Sequence, residues 1–183
     1  FTDAVKNISD VMEDSVKRHL IADVEVGSFL SSGIDSSYIV SLARPHKTYT
    51  VGYENKKYNE INYAKDLADK LGIKNESKII KKDEYLDAIP KIMYHLDEPT
   101  SDPAAISLYF VAKLASRDLK VVLSGEGADE FFGGYNYYRE EVDYKFYNKI
   151  PYGIRHAIGK VAGLFPEVRG FNFLVRRGEK LEN

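Results

Sequence analysis

The 183 residues carry 26 Lys and Arg against 28 Asp and Glu, and the formal charge of −2 offers nucleic acid or an acidic membrane no electrostatic footprint. Hydrophobic residues make up 44% and charged ones 30%, which suits one soluble domain with a sizeable core, and no apolar run approaches the roughly 20 residues of a membrane span. Cysteine is absent, which excludes disulfides, a thiolate zinc site and a cysteine nucleophile within this segment and is compatible with the cytosol. The opening Phe1-Thr2-Asp3-Ala4 has neither a signal-peptide pattern nor an initiator Met, and reads as the start of a piece of a longer protein.

Along the chain, residues 3–20 set Val5, Ile8, Met12, Val16 and Leu20 at helical spacing, with Thr2 as the expected N-cap. Residues 25–30 read as a first strand that runs into the loop Ser31–Ser37. Helical spacing resumes at Tyr38, Ile39 and Leu42 until Pro45 stops it. Residues 48–53 form a second, β-branched and aromatic strand. Asn59 is placed to cap a helix whose Ala64, Leu67, Ala68 and Leu71 share one face before Gly72, and residues 77–80 read as a third strand. Residues 83–96 are helical in pattern, although Pro90 is expected to kink or split them. A turn-rich passage, 97–103, precedes a helix carrying Leu108, Val111, Ala112 and Ala115, and then a short apolar strand at 121–123.

Strands separated by helices predict βαβ units and an α/β fold with a parallel sheet. A wholly apolar strand such as 121–123 fits a sheet covered on both faces. Ligands of such sheets sit beyond the carboxyl ends of the strands, where the chain reverses direction across the sheet. Two loops occupy that position, Ser31-Ser32-Gly33-Ile34-Asp35-Ser36-Ser37 and Ser124-Gly125-Glu126-Gly127-Ala128-Asp129-Glu130. Small residues let backbone N–H groups close on phosphate oxygens, and a helix starting there adds its positive end. The carboxylates in both loops repel phosphate unless a divalent cation lies between them, so the pattern suggests a nucleotide bound as its magnesium salt.

The first loop is not a Walker A loop, since its spacing differs and no Lys-Ser/Thr pair follows. Asp35 or Ser36 can also be no more than a cap for the helix that follows. The second loop continues into Phe131-Phe132-Gly133-Gly134-Tyr135, a costly sequence for a mere connection, with an acidic surface turn as the alternative.

The first loop resembles the Ser-Gly-Gly-x-Asp-Ser loop of ATP pyrophosphatases. The second, with Phe132-Gly133-Gly134-Tyr135, is similar to that of the glutamine-dependent asparagine synthases, and the Val51-Gly52 strand end and the run His95-Leu96-Asp97-Glu98-Pro99 agree with them. The resemblance covers roughly residues 1–145 and fades beyond. It implies a three-layer, parallel-sheet nucleotide-binding fold of the adenine nucleotide alpha hydrolase type, cut short on its C-terminal side. Residues 1–183 would be the N-terminal part of the synthetase domain, with a core over 1–145 and a helical basic tail over 146–183.

The activity so implied is activation of the aspartate side-chain carboxylate by ATP, followed by attack of ammonia to give asparagine and AMP. Leu30, Ser31, Gly33, Asp35, Ser36, Val51, Ser124 and Gly125 would bind ATP, Asp35 and Asp129 would hold magnesium, and Glu126 and Asp129 would be catalytic. The implied partners are ATP, aspartate and ammonia from a glutaminase domain outside this chain, in a cytoplasmic homodimer that binds neither nucleic acid nor membrane. A relative that closes a β-lactam or amidates another acid, a non-catalytic nucleotide-binding module and a tRNA-modifying pyrophosphatase are the rival readings.

Three departures qualify the resemblance. Ser32 stands where the motif has the first Gly of its pair, and a Cβ there costs roughly 1–2 kcal/mol if the position needs positive φ. The family's glutaminase domain with its N-terminal Cys, and a catalytic Lys from downstream, both lie outside this segment. The segment alone is therefore expected to bind nucleotide weakly and to catalyse nothing. The four histidines show no metal-ligand spacing, the basic residues Arg169, Arg176, Arg177 and Lys180 read as a solvated face, and the tyrosines near Tyr135 read as helix packing.

Overall fold

Four strands, Val26–Phe29 (β1), Lys47–Tyr53 (β2), Lys74–Ile80 (β3) and Val121–Leu123 (β4), form one sheet in the order β3-β2-β1-β4, and every neighbouring pair is parallel. The computed structural model describes residues 1–55, 59–135, 138, 145 and 149–163, with side chains as far as 157. It divides into two compact units, Phe1–Gly127 and Ala128–Asn183. The first holds the sheet and five helices, Thr2–His19 (α1), Ile34–Ala43 (α2), Ile61–Leu71 (α3), Lys82–Leu96 (α4) and Ala104–Ala115 (α5). The second contains the short Ala128–Phe132 (α6) and Tyr152–Gly163 (α7). Among the described residues no helix is long and apolar enough to cross a membrane.

Alternation along the strands divides the first unit into three layers. On one face Leu30 packs with Val40 of α2 and with Ala64, Ala68 and Ile73 in and beyond α3. On the other, Tyr49 and Val51 of β2 meet Val111, Leu114 and Ala115 of α5, while Ile80 meets Ala88 and Ile92 of α4 with Ile106 and Phe110 of α5. Burying each valine, leucine, isoleucine or phenylalanine of these clusters stabilises the fold by about 1.5–3 kcal/mol. The expected parallel, three-layer α/β arrangement is therefore present.

The ends of the elements depart from the sequence reading in instructive ways. Thr2 lies inside α1, whose N-cap is Phe1 with no side-chain cap bond, because the Phe1 carbonyl already accepts from Val5 N–H at 3.0 Å. Of the apolar row on α1 only Val16 is buried, and Val5 and Ile8 are exposed among the described residues. Asn59 binds Ile61 N–H at 3.1 Å from one position upstream of the N-cap, Glu60.

Pro90 neither splits nor ends α4. It is exposed, so the turn that loses an N–H faces water, which can satisfy the freed carbonyl. On α5 the buried row is Ile106, Phe110, Val111, Leu114 and Ala115, whereas Leu108 and Ala112 are exposed. The apolar β4 is not covered on both faces among the described residues: it ends the sheet, and Val121 is 38% exposed. Gly72 does end α3, in the left-handed conformation at φ 69°. In the expected helical tail, α7 carries Ile154 and Ala157. The basic residues Arg169, Arg176, Arg177 and Lys180 lie outside the described residues.

Candidate nucleotide site

The chain runs β1 to β2 to β3 in one direction and then returns past β1 to β4, so its direction reverses between β1 and β4. Loops 31–37 and 124–130 leave the carboxyl ends of those two neighbouring strands, which pair through Val26–Val121, Gly27–Val122 and Ser28–Leu123. This is the crevice in which open parallel sheets bind ligands.

The first loop is held by its own hydroxyls. Gly33 N–H donates to Ser31 Oγ at 3.1 Å, Ser31 Oγ lies 2.8 Å from Ser36 Oγ, and Ser36 Oγ lies 3.2 Å from the Gly33 carbonyl. One placement of the protons satisfies all three contacts in a closed ring, with Ser31 donating to Ser36 and Ser36 to Gly33. Ser31 N–H also donates to Ser36 Oγ at 3.1 Å, and Ser37 Oγ–H to the Gly33 carbonyl at 2.7 Å. The serines thus shape the loop, and they leave the start of α2 open. Its N-cap is Gly33 with no side-chain cap bond, and the N–H groups of Ile34, Asp35 and Ser36 have no acceptor among the described residues. Neither Asp35 nor Ser36 caps the helix. Asp35 is exposed in the first turn, and its carboxylate accepts no hydrogen bond among the described residues.

Ser32 carries none of the strain that its place in the motif suggests. The non-glycine residues at positive φ are Arg44 and Asp97 only, among the described residues. Ser32 N–H donates to Glu60 Oε2 at 3.1 Å, a tie from α3 that the sequence reading missed because the two lie 28 residues apart.

The second loop meets the first through backbone. A Cβ on Gly125 would lie 2.7 Å from Ser36 N and 3.0 Å from the Asp35 carbonyl carbon, closer than side chains are found. Gly127 adopts φ 92°, so the glycines flanking Glu126 answer to two separate needs, close approach and backbone conformation. Glu126 is exposed, and its N–H donates to Ser124 Oγ at 3.3 Å. Leu30 is a core residue by its side chain, 2% exposed, and Val51 is half-buried at the end of β2.

In the second unit, Asp129 lies in the first turn of α6. Its carbonyl accepts from Gly134 N–H at 3.0 Å, and a Cβ on Gly134 would overlap Asp129 Oδ1. Gly133 stands at φ 66°. The Gly133-Gly134 pair is therefore the local fold that seats the Asp129 carboxylate.

The passage 97–103 is built as a turn. Asp102 N–H donates to Thr100 Oγ1 at 3.1 Å, and Asp102 Oδ1 accepts from Ala104 N–H at 2.9 Å to begin α5. Away from the loops, Lys47 forms ion pairs with Asp118 and Glu76, and Tyr49 donates to Asp118 at 3.1 Å. The bond to Asp118, then that to Glu76, raises the Lys47 ammonium above its ordinary value. Lys47 in turn lowers the Asp118 carboxyl, and burial raises the Tyr49 phenol. Among the described residues no group of three or more His, Asp or Glu is arranged to hold a metal.

The family model for asparagine synthase matches residues 7–177. The chain belongs to the asparagine synthase family. It is 50% identical over 177 residues to the glutamine-hydrolyzing asparagine synthetase 1 of Bacillus subtilis, covering 94% of this chain and 28% of that protein. It is 45% identical over 180 residues to a glutamine-hydrolyzing putative-named asparagine synthetase of Mycobacterium bovis, covering 96% of this chain and again 28% of that protein. The chain thus spans 28% of the length of these relatives. An NH3-dependent NAD synthetase from Campylobacter jejuni superposes with a TM-score of 0.48 at 17% identity, covering 96% of this chain and 93% of that one.

Proposed function

We propose that this chain is the N-terminal part of an ATP-binding synthetase domain, and that the whole protein makes asparagine from aspartate, ATP and glutamine-derived ammonia. The observation that carries the reading is the contact of Gly125 with the Asp35–Ser36 backbone, which joins the two loops at the switch point beside three N–H groups that have no acceptor among the described residues. The relatives, named as glutamine-hydrolyzing asparagine synthetases, supply the reaction. Its cytoplasmic location and homodimeric state rest on the resemblance alone.

In this reading the N–H groups of Ile34, Asp35 and Ser36 bind the phosphates, helped by the positive end of α2. Ser31, Gly33 and Ser36 keep the loop in the shape that presents those donors. Leu30, Val51, Ser124 and Gly125 border the adenosine part. The aspartate side-chain carboxylate attacks the α-phosphorus, the bond from that phosphorus to the bridging oxygen breaks, and pyrophosphate leaves with the electron pair. Ammonia then attacks the acyl carbon of the aspartyl-adenylate, AMP departs, and Glu126 accepts the proton released from nitrogen. Catalysis is mostly positioning and charge stabilisation.

The acids suit magnesium. This ion takes one or two carboxylates together with substrate phosphates rather than an all-protein cage, and the Asp35 carboxylate stands exposed beside the phosphate donors and accepts no hydrogen bond among the described residues. Asp35 would hold it, the resemblance gives Asp129 the same task, and the ion would neutralise phosphate charge as pyrophosphate departs.

The test is ATP–pyrophosphate exchange by the full-length protein with aspartate and with other carboxylic acids. Exchange supported by aspartate is expected. Exchange supported by another acid and not by aspartate would move the protein to a different amide ligase, and exchange with neither would leave a nucleotide-binding module.

A further inference from the structure

β1 leaves the sheet at Leu30 through a side-chain bond where a backbone rung is expected. Leu30 N–H donates to the Tyr49 carbonyl at 2.9 Å, which is the last rung between β1 and β2. In a parallel ladder the next bond runs from Val51 N–H to the Leu30 carbonyl. That rung is absent among the described residues. The carbonyl is taken instead by Thr50 Oγ1–H at 2.7 Å.

Thr50 does not act by itself. Asn75 Nδ2 lies 2.9 Å from Thr50 Oγ1 and 3.0 Å from Thr48 Oγ1. Thr48 Oγ1 also faces the Lys74 carbonyl at 3.3 Å. Each threonine has one proton and both are directed at carbonyls, so Asn75 supplies the donor to each hydroxyl. This settles the orientation of the Asn75 amide and leaves the Thr50 proton a single direction, toward Leu30. Thr50 and Leu30 are each 2% exposed, so water is kept from the bond.

Two consequences meet at one strand end. The Leu30 carbonyl, immediately before Ser31, is placed by a side chain from the neighbouring strand. The Val51 N–H, released from the ladder, faces the side that β1 has vacated.

We propose that Thr50, oriented by Asn75, is a positioning residue of the nucleotide site: it sets where β1 gives way to the 31–37 loop and keeps Val51 N–H free for an acceptor on the purine or ribose of the nucleotide. This rests on the ATP-binding reading above. The hydroxyl matters through its proton, so a side chain of the same shape without one cannot replace it.

The experiment uses the full-length protein with Thr50→Val, Thr50→Ser and Asn75→Ala. It measures the equilibrium Kd for magnesium–ATP and the separate KM values for ATP and aspartate in pyrophosphate exchange. Thr50→Val is expected to weaken ATP binding about tenfold, the effect of one lost buried hydrogen bond. The aspartate KM should not move, Thr50→Ser should restore the parent affinity, and Asn75→Ala should weaken ATP binding to a lesser degree.

A folded Thr50→Val protein that binds ATP as the parent does overturns the proposal. So does Thr50→Ser binding as weakly as Thr50→Val, or an equal rise in both KM values. If Thr50→Val does not fold, unchanged ATP affinity in Asn75→Ala, at a half-buried position, overturns it instead. A parent that binds ATP but exchanges with no acid defeats the proposed reaction, while the Kd values still decide the role of Thr50. A parent with no ATP affinity defeats both.

Discussion

Gly125 lies so close to Ser36 that a Cβ on the glycine would stand 2.7 Å from the serine's backbone nitrogen. Backbone meets backbone here, with no flexible side chain to give way. Gly125→Ala must therefore push the second loop off the start of α2, at about 1–3 kcal/mol for overpacking of this kind. We expect the full-length variant to melt at lower temperature and to bind magnesium–ATP at least about tenfold more weakly. Isothermal titration would show it, and parental affinity would mean that the loops do not share a ligand.

In the proposed function Asp35 and Asp129 are the carboxylates given to the metal. Asp35→Asn and Asp129→Asn keep shape and remove charge, so each should abolish the magnesium dependence of ATP binding in the full-length protein. Titrating magnesium at fixed ATP distinguishes the cases. If both variants keep the parental magnesium curve, the acids serve solubility or turn formation instead.

Ser32 departs from the glycine of the motif without adopting positive φ. Ser32→Gly therefore relieves no strain and only adds freedom to the unfolded chain, a loss of about 0.5–1 kcal/mol. Chemical denaturation is expected to show slight destabilisation with ATP affinity little changed. A gain in stability would reveal strain at this position.

The Lys47–Asp118 pair makes a pH-dependent contribution whose sign follows from the two shifts. Asp118 is lowered from 3.8 by its bond to Lys47, so its stabilisation is present above that value and fades as pH falls through the lower folded one. Lys47 is raised from 10.5, so its share is present below that value and fades as pH rises through the higher folded one. Asp118→Asn should thus destabilise evenly across neutral pH, and by progressively less in strong acid. Melting curves at pH 7, about three units above the ordinary carboxylate value, and at pH 2, about two units below it, test this; an equal loss at both would place the effect in packing.

Much of the fold was legible because its causes are local. The run Val121–Leu123 followed by a glycine-rich acidic loop, the apolar face of Ala64 and Ala68, and the stop at Gly72 each depend on near neighbours in the chain. The misreadings have a common origin in surroundings supplied by distant residues. Pro90 is tolerated because its turn faces water, and the buried row of α5 begins at Ile106 because Ile80 and Ile92 meet it there. Glu60, Thr50 and Asn75 carry no motif, and nothing in their neighbours along the chain marks them as partners of the first loop or of the strand end before it.

By itself the amino-acid sequence determined the order of strands and helices, the two acidic loops and the family they resemble, since periodicity and loop composition are written in contiguous residues. Tertiary structure decided what those loops are made of. Folding of β1 against β2 and β4 turned the serines into a ring that shapes the loop, left three N–H groups at the start of α2 without acceptors among the described residues, and set Gly125 on Ser36. It also gave the Leu30 carbonyl to a threonine from the next strand. Hydrogen bonds and steric contacts fall away within a few ångströms, so partners separated by 20 or more residues are chosen by the sheet that brings them together.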